Sequence, residues 1–374
     1  MTTYRDFYGR YSLGSGAILP NQDKVWERFA DPEIVAAYKK SIFRDLVKSG
    51  VSLDEIKEWT IMDVGTGRQA LALLELGAKA VDHFDISPGN VEKVKQYIAQ
   101  ENISDRLSST CCDIVETDIH REKYNFIYLN GIVQHFSNVG VGIEKCMAAL
   151  KNGGLLWLYF YRSGTFENFV LFMIRDIIHY SNIATDIQKM KEHYLSSLLF
   201  FSRSGVRKDY LSSIYMDGAF TRFANLYTLQ DYVGFVKNRG FEIVSSSGID
   251  PVGRDIDHYY SRAATVLTLR KIKDRVAYDS IENNLCPEKD IDQLDRSLYR
   301  EKEIIASIEI YESLKEFLRR PDVPASLSVL VSLRVFDYLA TVTRAADFDP
   351  MQRHLGLQEV LSGTLQFLRE EYGA

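Results

Sequence analysis

Between Trp59 and Lys271 short apolar runs alternate with longer stretches whose apolar residues fall three or four apart, the pattern of strands separated by covering helices. Seven runs read as strands: TIMDV (60–64), AVDHFD (80–85), LSSTCCD (107–113), NFIYLN (125–130), LLWLYFY (155–161), FEIVSSS (241–247) and AATVLTLR (263–270). The first five are separated by segments such as RQALALLELG and GNVEKVKQYIAQ. A mainly parallel, doubly wound α/β sheet covered on both faces is therefore expected. The last two runs are joined by a loop containing Asp250, Pro251 and Gly253 without a long crossover helix, which allows them to pair antiparallel.

Residues 21–50 read as one or two amphipathic helices ahead of the sheet. A long insertion, 162–227, contains the helical stretch FENFVLFMIRDIIHYS; after the carboxyl end of a strand such an insertion is expected to lie over the ligand crevice, with residues 1–20 as a second part of the lid. From Asp290 the pattern is helical only, with further helices near 326–346 and 355–371. The expected division is an α/β domain over 1–274 and a helical bundle over 275–374. Leu327, Leu330, Val331, Leu333, Val335, Phe336 and Leu339 form a seam wider than one helix face needs. It reads as a bundle core or a homodimer surface, with the dimer favoured.

At 374 residues the chain is long for one domain of ~150 residues. It is 46% hydrophobic and 26% charged, an ordinary globular composition. Forty-five basic residues are set against 51 acidic ones for a net charge of -6; interspersed as they are, they offer no footprint for nucleic acid. Cys111, Cys112, Cys146 and Cys286 lack metal-ligand or redox spacing and read as reduced thiols, with no metal site implied. The N-terminus MTTYRDFYGRYS has no apolar h-region, and the run Leu155 to Tyr161 is far short of a membrane span. A cytoplasmic protein without membrane contact is expected. The 22 Tyr and 20 Phe, with Tyr4, Tyr8 and Tyr11 crowded at one end, fit either core packing or a pocket for a flat, amphipathic molecule.

The first strand runs into Asp63-Val-Gly65-Thr-Gly67-Arg68-Gln69-Ala70 and a helix follows at once. Two glycines there permit a tight turn close to a ligand, and the helix start favours an anionic or strongly polar group. Asp85 ends the second strand 18 residues after Gly67, where a carboxylate can accept both hydroxyls of a ribose. These features also fit a nicotinamide-dependent oxidoreductase. However, Asp63 stands where nicotinamide sites normally have an apolar residue, and it suits a cationic or ammonium-bearing ligand. Asp113 ends the third strand, placed to accept from a purine amine, with Ile114 against the ring. Leu150-Lys-Asn-Gly153-Gly154 leads into the fifth strand.

In this order the four elements resemble those of the class I S-adenosylmethionine-dependent methyltransferases, small-molecule branch, over roughly residues 25–271. The resemblance implies a Rossmann-like seven-stranded sheet of order 3-2-1-4-5-7-6 with strand seven antiparallel, and S-adenosyl-L-methionine as cofactor. It assigns the methionine portion to Asp63, Gly65, Gly67, Asn130 and Gly131, the ribose to Asp85 with Ile86 beside it, and the adenine to Asp113 and Ile114. His135, a turn after Asn130, becomes the leading base. Tyr8, Tyr11, Tyr161, Arg162 and Tyr227 become candidates for the acceptor site, with Tyr159, His179 and His193 as lesser ones. The acceptor is expected to be a small or medium organic molecule methylated on oxygen or nitrogen. The chain departs from the pattern at Gln69, where a third glycine is common, and at Asn125, where an Asp is usual at the start of strand four. The first departure leaves room for a methyltransferase-like scaffold without activity.

Overall fold

The computed structural model describes residues 32–181, 225–247, 264–272, 302–342 and 350–373, with a few isolated positions besides. Helix α1 (Pro32–Lys48) has proline at its first position, where the missing N–H costs nothing. It buries Val35, Ile42 and Leu46. The single turn α2 (Leu53–Ile56) is closed by a capping box: the Ser52 hydroxyl accepts from the Glu55 N–H and the Glu55 carboxylate from the Ser52 N–H. There follow β1 (Thr60–Val64), α3 (Arg68–Glu75), β2 (Ala80–Asp85), α4 (Pro88–Glu101), β3 (Leu107–Cys111), β4 (Tyr124–Asn130), α5 (Val139–Ala149) and β5 (Leu150–Tyr161). Next come α6 (Phe166–Tyr180), α7 (Leu229–Lys237), β6 (Phe241–Ser247) and β7 (Ala264–Lys271), then α8 (Lys302–Leu318), α9 (Ala325–Val342) and α10 (Pro350–Tyr372).

The strands form one sheet of order β3-β2-β1-β4-β5-β7-β6. The first five run parallel and β7 is antiparallel to both β5 and β6, as the sequence implied. Alternation along each strand feeds two cores. Ile61, Val81, Leu107 and Phe126 pack under α1, α3 and α4, whereas Met62, Ile127, Leu156 and Phe160 pack under α5 and α7. On the first face one cross-sheet row joins Ser109, His83, Asp63, Tyr128 and Trp157 in successive register. The Tyr128 and Trp157 rings stack 4.2 Å apart, and the Trp157 N–H donates to Asp45 Oδ2 at 3.2 Å.

Two boundaries differ from the sequence reading. Strand β3 ends at Cys111, two residues early, because Asp113 turns the chain: its Oδ1 accepts the Val115 N–H at 2.8 Å and its carbonyl accepts from Glu116 and Thr117. Strand β5 begins at Leu150, so it includes the Lys-Asn-Gly-Gly turn. Gly153 has φ +77, and a Cβ on Gly154 would lie 2.8 Å from the Lys151 carbonyl and 3.1 Å from that of Asn125. Both obstacles are backbone.

The chain divides into an α/β unit and a helical unit built from α6 and α8–α10. The expected boundary at 274 thus differs from the observed grouping, since the insertion's helix joins the C-terminal helices. Asp176 on α6 accepts from the Tyr311 hydroxyl and pairs with the buried Lys315 ammonium, each at 2.6 Å. Phe166 and Phe169 meet the buried His354 ring at 5.0 and 5.7 Å. The α9 seam is the inside of this unit and not a free dimer surface: Val331, Leu333, Val335, Phe336 and Leu339 are all buried, Leu327 is half-buried, and Leu330 is exposed. No described helix is long and apolar enough to cross a membrane.

Gly154→Ala is expected to destabilise the α/β unit by about 2 kcal/mol through overpacking against backbone. Gly363→Ala, at an open position on α10, should stabilise by up to ~1 kcal/mol. Urea unfolding of the two variants against the wild type measures both.

Candidate active site

The carboxyl ends of β1, β2 and β4 meet where the strand order reverses, the place at which open α/β sheets form a ligand crevice. Asp63 is 1% exposed. Its Oδ2 accepts the Ala70 N–H in the first turn of α3 at 3.1 Å, whereas its Oδ1 is buried without a hydrogen-bond partner among the described residues. Gly67 is the N-cap residue of α3, with φ +83 and no side chain to cap it. Gly65 has φ +136, and a Cβ built there would meet nothing within 4 Å. Only glycine takes both backbone shapes at little cost. Burial, reinforced by the charge of Asp85, raises the Asp63 carboxyl to about 8 against the pull of the Ala70 amide.

Asp85 closes β2. Its Oδ1 accepts the Ser87 N–H at 2.7 Å and its Oδ2 the Asn90 side-chain N–H at 2.9 Å. Ser87 in turn caps α4 by accepting the Asn90 N–H. Burial raises Asp85 to about 7 although these donors favour the carboxylate. Ile86 is half-buried, and its carbonyl accepts from the Cys111 thiol at 3.7 Å. Asp113 is half-buried beyond β3, whereas Ile114 is 3% exposed and belongs to the apolar core under α5.

Asn130 ends β4 in register with Tyr159. Gly131 has φ +65, and its N–H donates to the Tyr159 carbonyl at 2.9 Å. Its carbonyl accepts from Gln134 Nε2 at 2.7 Å, and the same amide nitrogen lies 3.2 Å from His135 Nε2. An amide NH₂ cannot accept, so His135 Nε2 is the acceptor of that contact. Turning the Gln134 amide over would set oxygen against oxygen at Gly131. His135 is buried at 7% exposure in the short 3₁₀ turn 133–135. The chain entering α7 is bound to this turn: the Asn225 N–H donates to the Gln134 carbonyl at 2.9 Å and its side-chain amide to the Phe136 carbonyl at 2.8 Å.

Of the acceptor-site candidates, Tyr161 is half-buried at the end of β5, edge-on to Tyr159 at 5.8 Å, and Arg162 beside it is 2% exposed. Tyr227, at 4% exposure, packs edge-on against Tyr232 within the core. Tyr4, Tyr8, Tyr11 and His193 lie outside the described residues, and His179 is exposed on α6 in the helical unit. Among the described residues no group of three or more His, Cys, Asp or Glu could hold a metal.

Both departures from the motif pattern have local explanations. Gln69 is buried and its Oε1 accepts from the Thr66 hydroxyl at 3.5 Å, so the side chain folds onto its own loop. Asn125 lies at the opposite end of the sheet, where its Oδ1 accepts from the Thr60 N–H and from Lys151, each at 3.1 Å. The sequence reading passed over His83, Asn90 and Gln134. For His83 the available signal was a histidine at a core-facing strand position, two residues before the strand-ending acid.

Residues 61–154 match the family model described as a methyltransferase domain. The matched segment runs from β1 into the start of β5. Over 115 residues the chain is 26% identical to a ubiquinone biosynthesis O-methyltransferase of Nitrobacter winogradskyi, covering 30% of this chain and 42% of that one. Over 109 residues it is 28% identical to a malonyl-[acyl-carrier protein] O-methyltransferase of Acetivibrio thermocellus, covering 28% and 37%. The chain spans about two fifths of the length of these relatives. Among solved structures, the 1,6-didemethyltoxoflavin-N1-methyltransferase of Burkholderia thailandensis, bound to its substrate and S-adenosylhomocysteine, gives a TM-score of 0.35 at 13% identity, covering 66% of this chain and 89% of that one.

The raised carboxyls make stability fall with pH. Asp63 and Asp85 hold protons in the folded state that the unfolded chain has released above about pH 4, so the stabilisation is complete below that value and is lost as pH rises through about 7 and 8. Without ligand, the melting temperature is expected to fall between pH 6.5 and 8.5. Asp63→Asn should flatten that slope by up to about 1.4 kcal/mol per pH unit; thermal denaturation across this pH range measures it.

Proposed function

We propose that the α/β unit is an S-adenosylmethionine-dependent methyltransferase acting on oxygen or nitrogen of a small or medium organic acceptor. The observation that carries this reading is the buried, unpartnered Oδ1 of Asp63 beside the open turn at Gly65. A buried carboxyl oxygen without a partner is costly, and the ammonium group of a methionine moiety supplies a donor together with the positive charge that favours the carboxylate form. The cofactor, when bound, presents a methyl group on a positively charged sulfur.

The residues divide the binding. Asp85 accepts from the ribose hydroxyls, its two oxygens having lone-pair capacity beyond the bonds from Ser87, Asn90 and Ile86. Asp113 accepts from the adenine amine, with Ile86 and Ile114 giving the apolar surround. Gly65, Gly67, Asn130 and Gly131 shape the methionine end. Tyr161 and Arg162 face the acceptor. The protein's main task is alignment of nucleophile, methyl carbon and leaving sulfur. Where the acceptor carries a proton, His135 takes it at Nε2 after releasing the Gln134 amide, whose bond until then holds the ring in place. The names of the matched relatives favour oxygen as the accepting atom.

Titration calorimetry with S-adenosylhomocysteine should give binding, weakened about 10- to 100-fold in Asp85→Ala through loss of a charged acceptor; absence of binding to the wild type would sink the reading. Incubation with cell extract should yield a product heavier by one methyl group. With that acceptor, His135→Ala is expected to lower kcat by about a hundredfold while leaving S-adenosylhomocysteine affinity intact.

A further inference from the structure

We propose that His83 is the positioning residue of the glycine turn: its Nε2–H donates to the Gly65 carbonyl and clamps that peptide to β2, leaving the opposite side of the turn open to the cofactor. The proposal rests on the reading of this turn as a cofactor site.

The His83 ring is wholly buried, and its two nitrogens have different partners. Nε2 lies 2.6 Å from the Gly65 carbonyl oxygen and Nδ1 lies 2.8 Å from the Ser109 hydroxyl on β3. A carbonyl oxygen only accepts, so the proton is on Nε2. The bare Nδ1 then accepts from Ser109. Neither neighbour needs an imidazolium, and burial pushes the ring down to about 4, so it is a neutral, fixed-tautomer strut at physiological pH.

Gly65 is held at both of its main-chain polar groups, in two successive peptides, by the same strand. Its N–H donates to the Phe84 carbonyl at 3.0 Å, and its carbonyl receives His83. The main-chain bond continues the sheet ladder, whereas the side-chain bond lies past the end of β1 and acts where φ is +136. A backbone in that sparsely populated region persists only when its surroundings over-determine it. Asp63 fixes the other end of the turn through Ala70, and His83 stands opposite Asp63 in the register of β2. The clamp and the carboxyl therefore share one row of the sheet, with the glycines suspended between them.

The substitutions separate the two bonds. Glutamine places a side-chain N–H near the position of Nε2, asparagine reaches only the position of Nδ1, and leucine supplies neither. Titrated with S-adenosylhomocysteine, His83→Gln should keep affinity within about threefold of wild type, whereas His83→Asn and His83→Leu should lose about tenfold or more, the effect of one buried hydrogen bond. In turnover the loss should appear in KM for S-adenosylmethionine, with kcat retained. Equal affinity in all variants, or a His83→Gln variant as weak as His83→Leu, overturns the proposal while the wild-type titration still supports a methyltransferase. A wild type that binds nothing overturns the functional reading itself. Independently of how the variants fold, long-range ¹H–¹⁵N correlation spectra of the wild type at neutral pH should show His83 protonated on Nε2 alone; an Nδ1–H tautomer or an imidazolium overturns the proposal.

Discussion

One hydrogen bond organises the carboxyl end of β1: the Asp63 carboxyl receives the Ala70 amide of the helix that follows. It fixes how sharply the chain turns between β1 and α3, and that turn decides which peptide groups face the crevice. Because the carboxyl is shut away from water, its second oxygen has a strong need that bulk solvent does not meet. Closure of the turn and appetite for a polar, cationic partner are two properties of one buried group. The tie from Asp85 to Ser87 and Asn90 repeats the device on β2, so two successive strands end in acids that brace the next helix.

The sheet was legible because its information is periodic. Parallel strands buried on both faces read as apolar runs, and the short connection between β6 and β7 permitted their antiparallel pairing. Its ends were less legible. Strand β3 stops when an aspartate side chain captures a backbone amide two residues on, a competition between side chain and ladder that apolarity does not reveal. The extension of β5 back to Leu150 likewise depends on where two glycines let the backbone pass.

Motif spacing pointed to Asp63, Gly65, Gly67, Asp85, Asn130 and His135, residues that position along the chain alone can single out. It did not point to His83 and Gln134, whose partners lie elsewhere: Ser109 on another strand, and a carbonyl three residues back. Tyr227 poses the opposite ambiguity. An aromatic residue near a crevice looks like a wall of it, yet packing against Tyr232 absorbs the ring. Ion pairing hid the membership of α6 in the same way, since nothing local to that helix announces Tyr311 and Lys315, more than a hundred residues later, as companions of Asp176.

That membership makes the helical unit discontinuous in the chain. Helix α6 is synthesised before β6 and β7, while α8–α10, its described companions in the unit, come last. During synthesis its apolar side chains must wait, exposed or transiently sheltered, until α8–α10 leave the ribosome. Contacts between such distant segments are slow to form because the intervening loop must close first. A chain cut after the sheet would not be a neat catalytic module with its tail removed: it would carry a helix rich in Phe and Ile without α8–α10, its partners among the described residues.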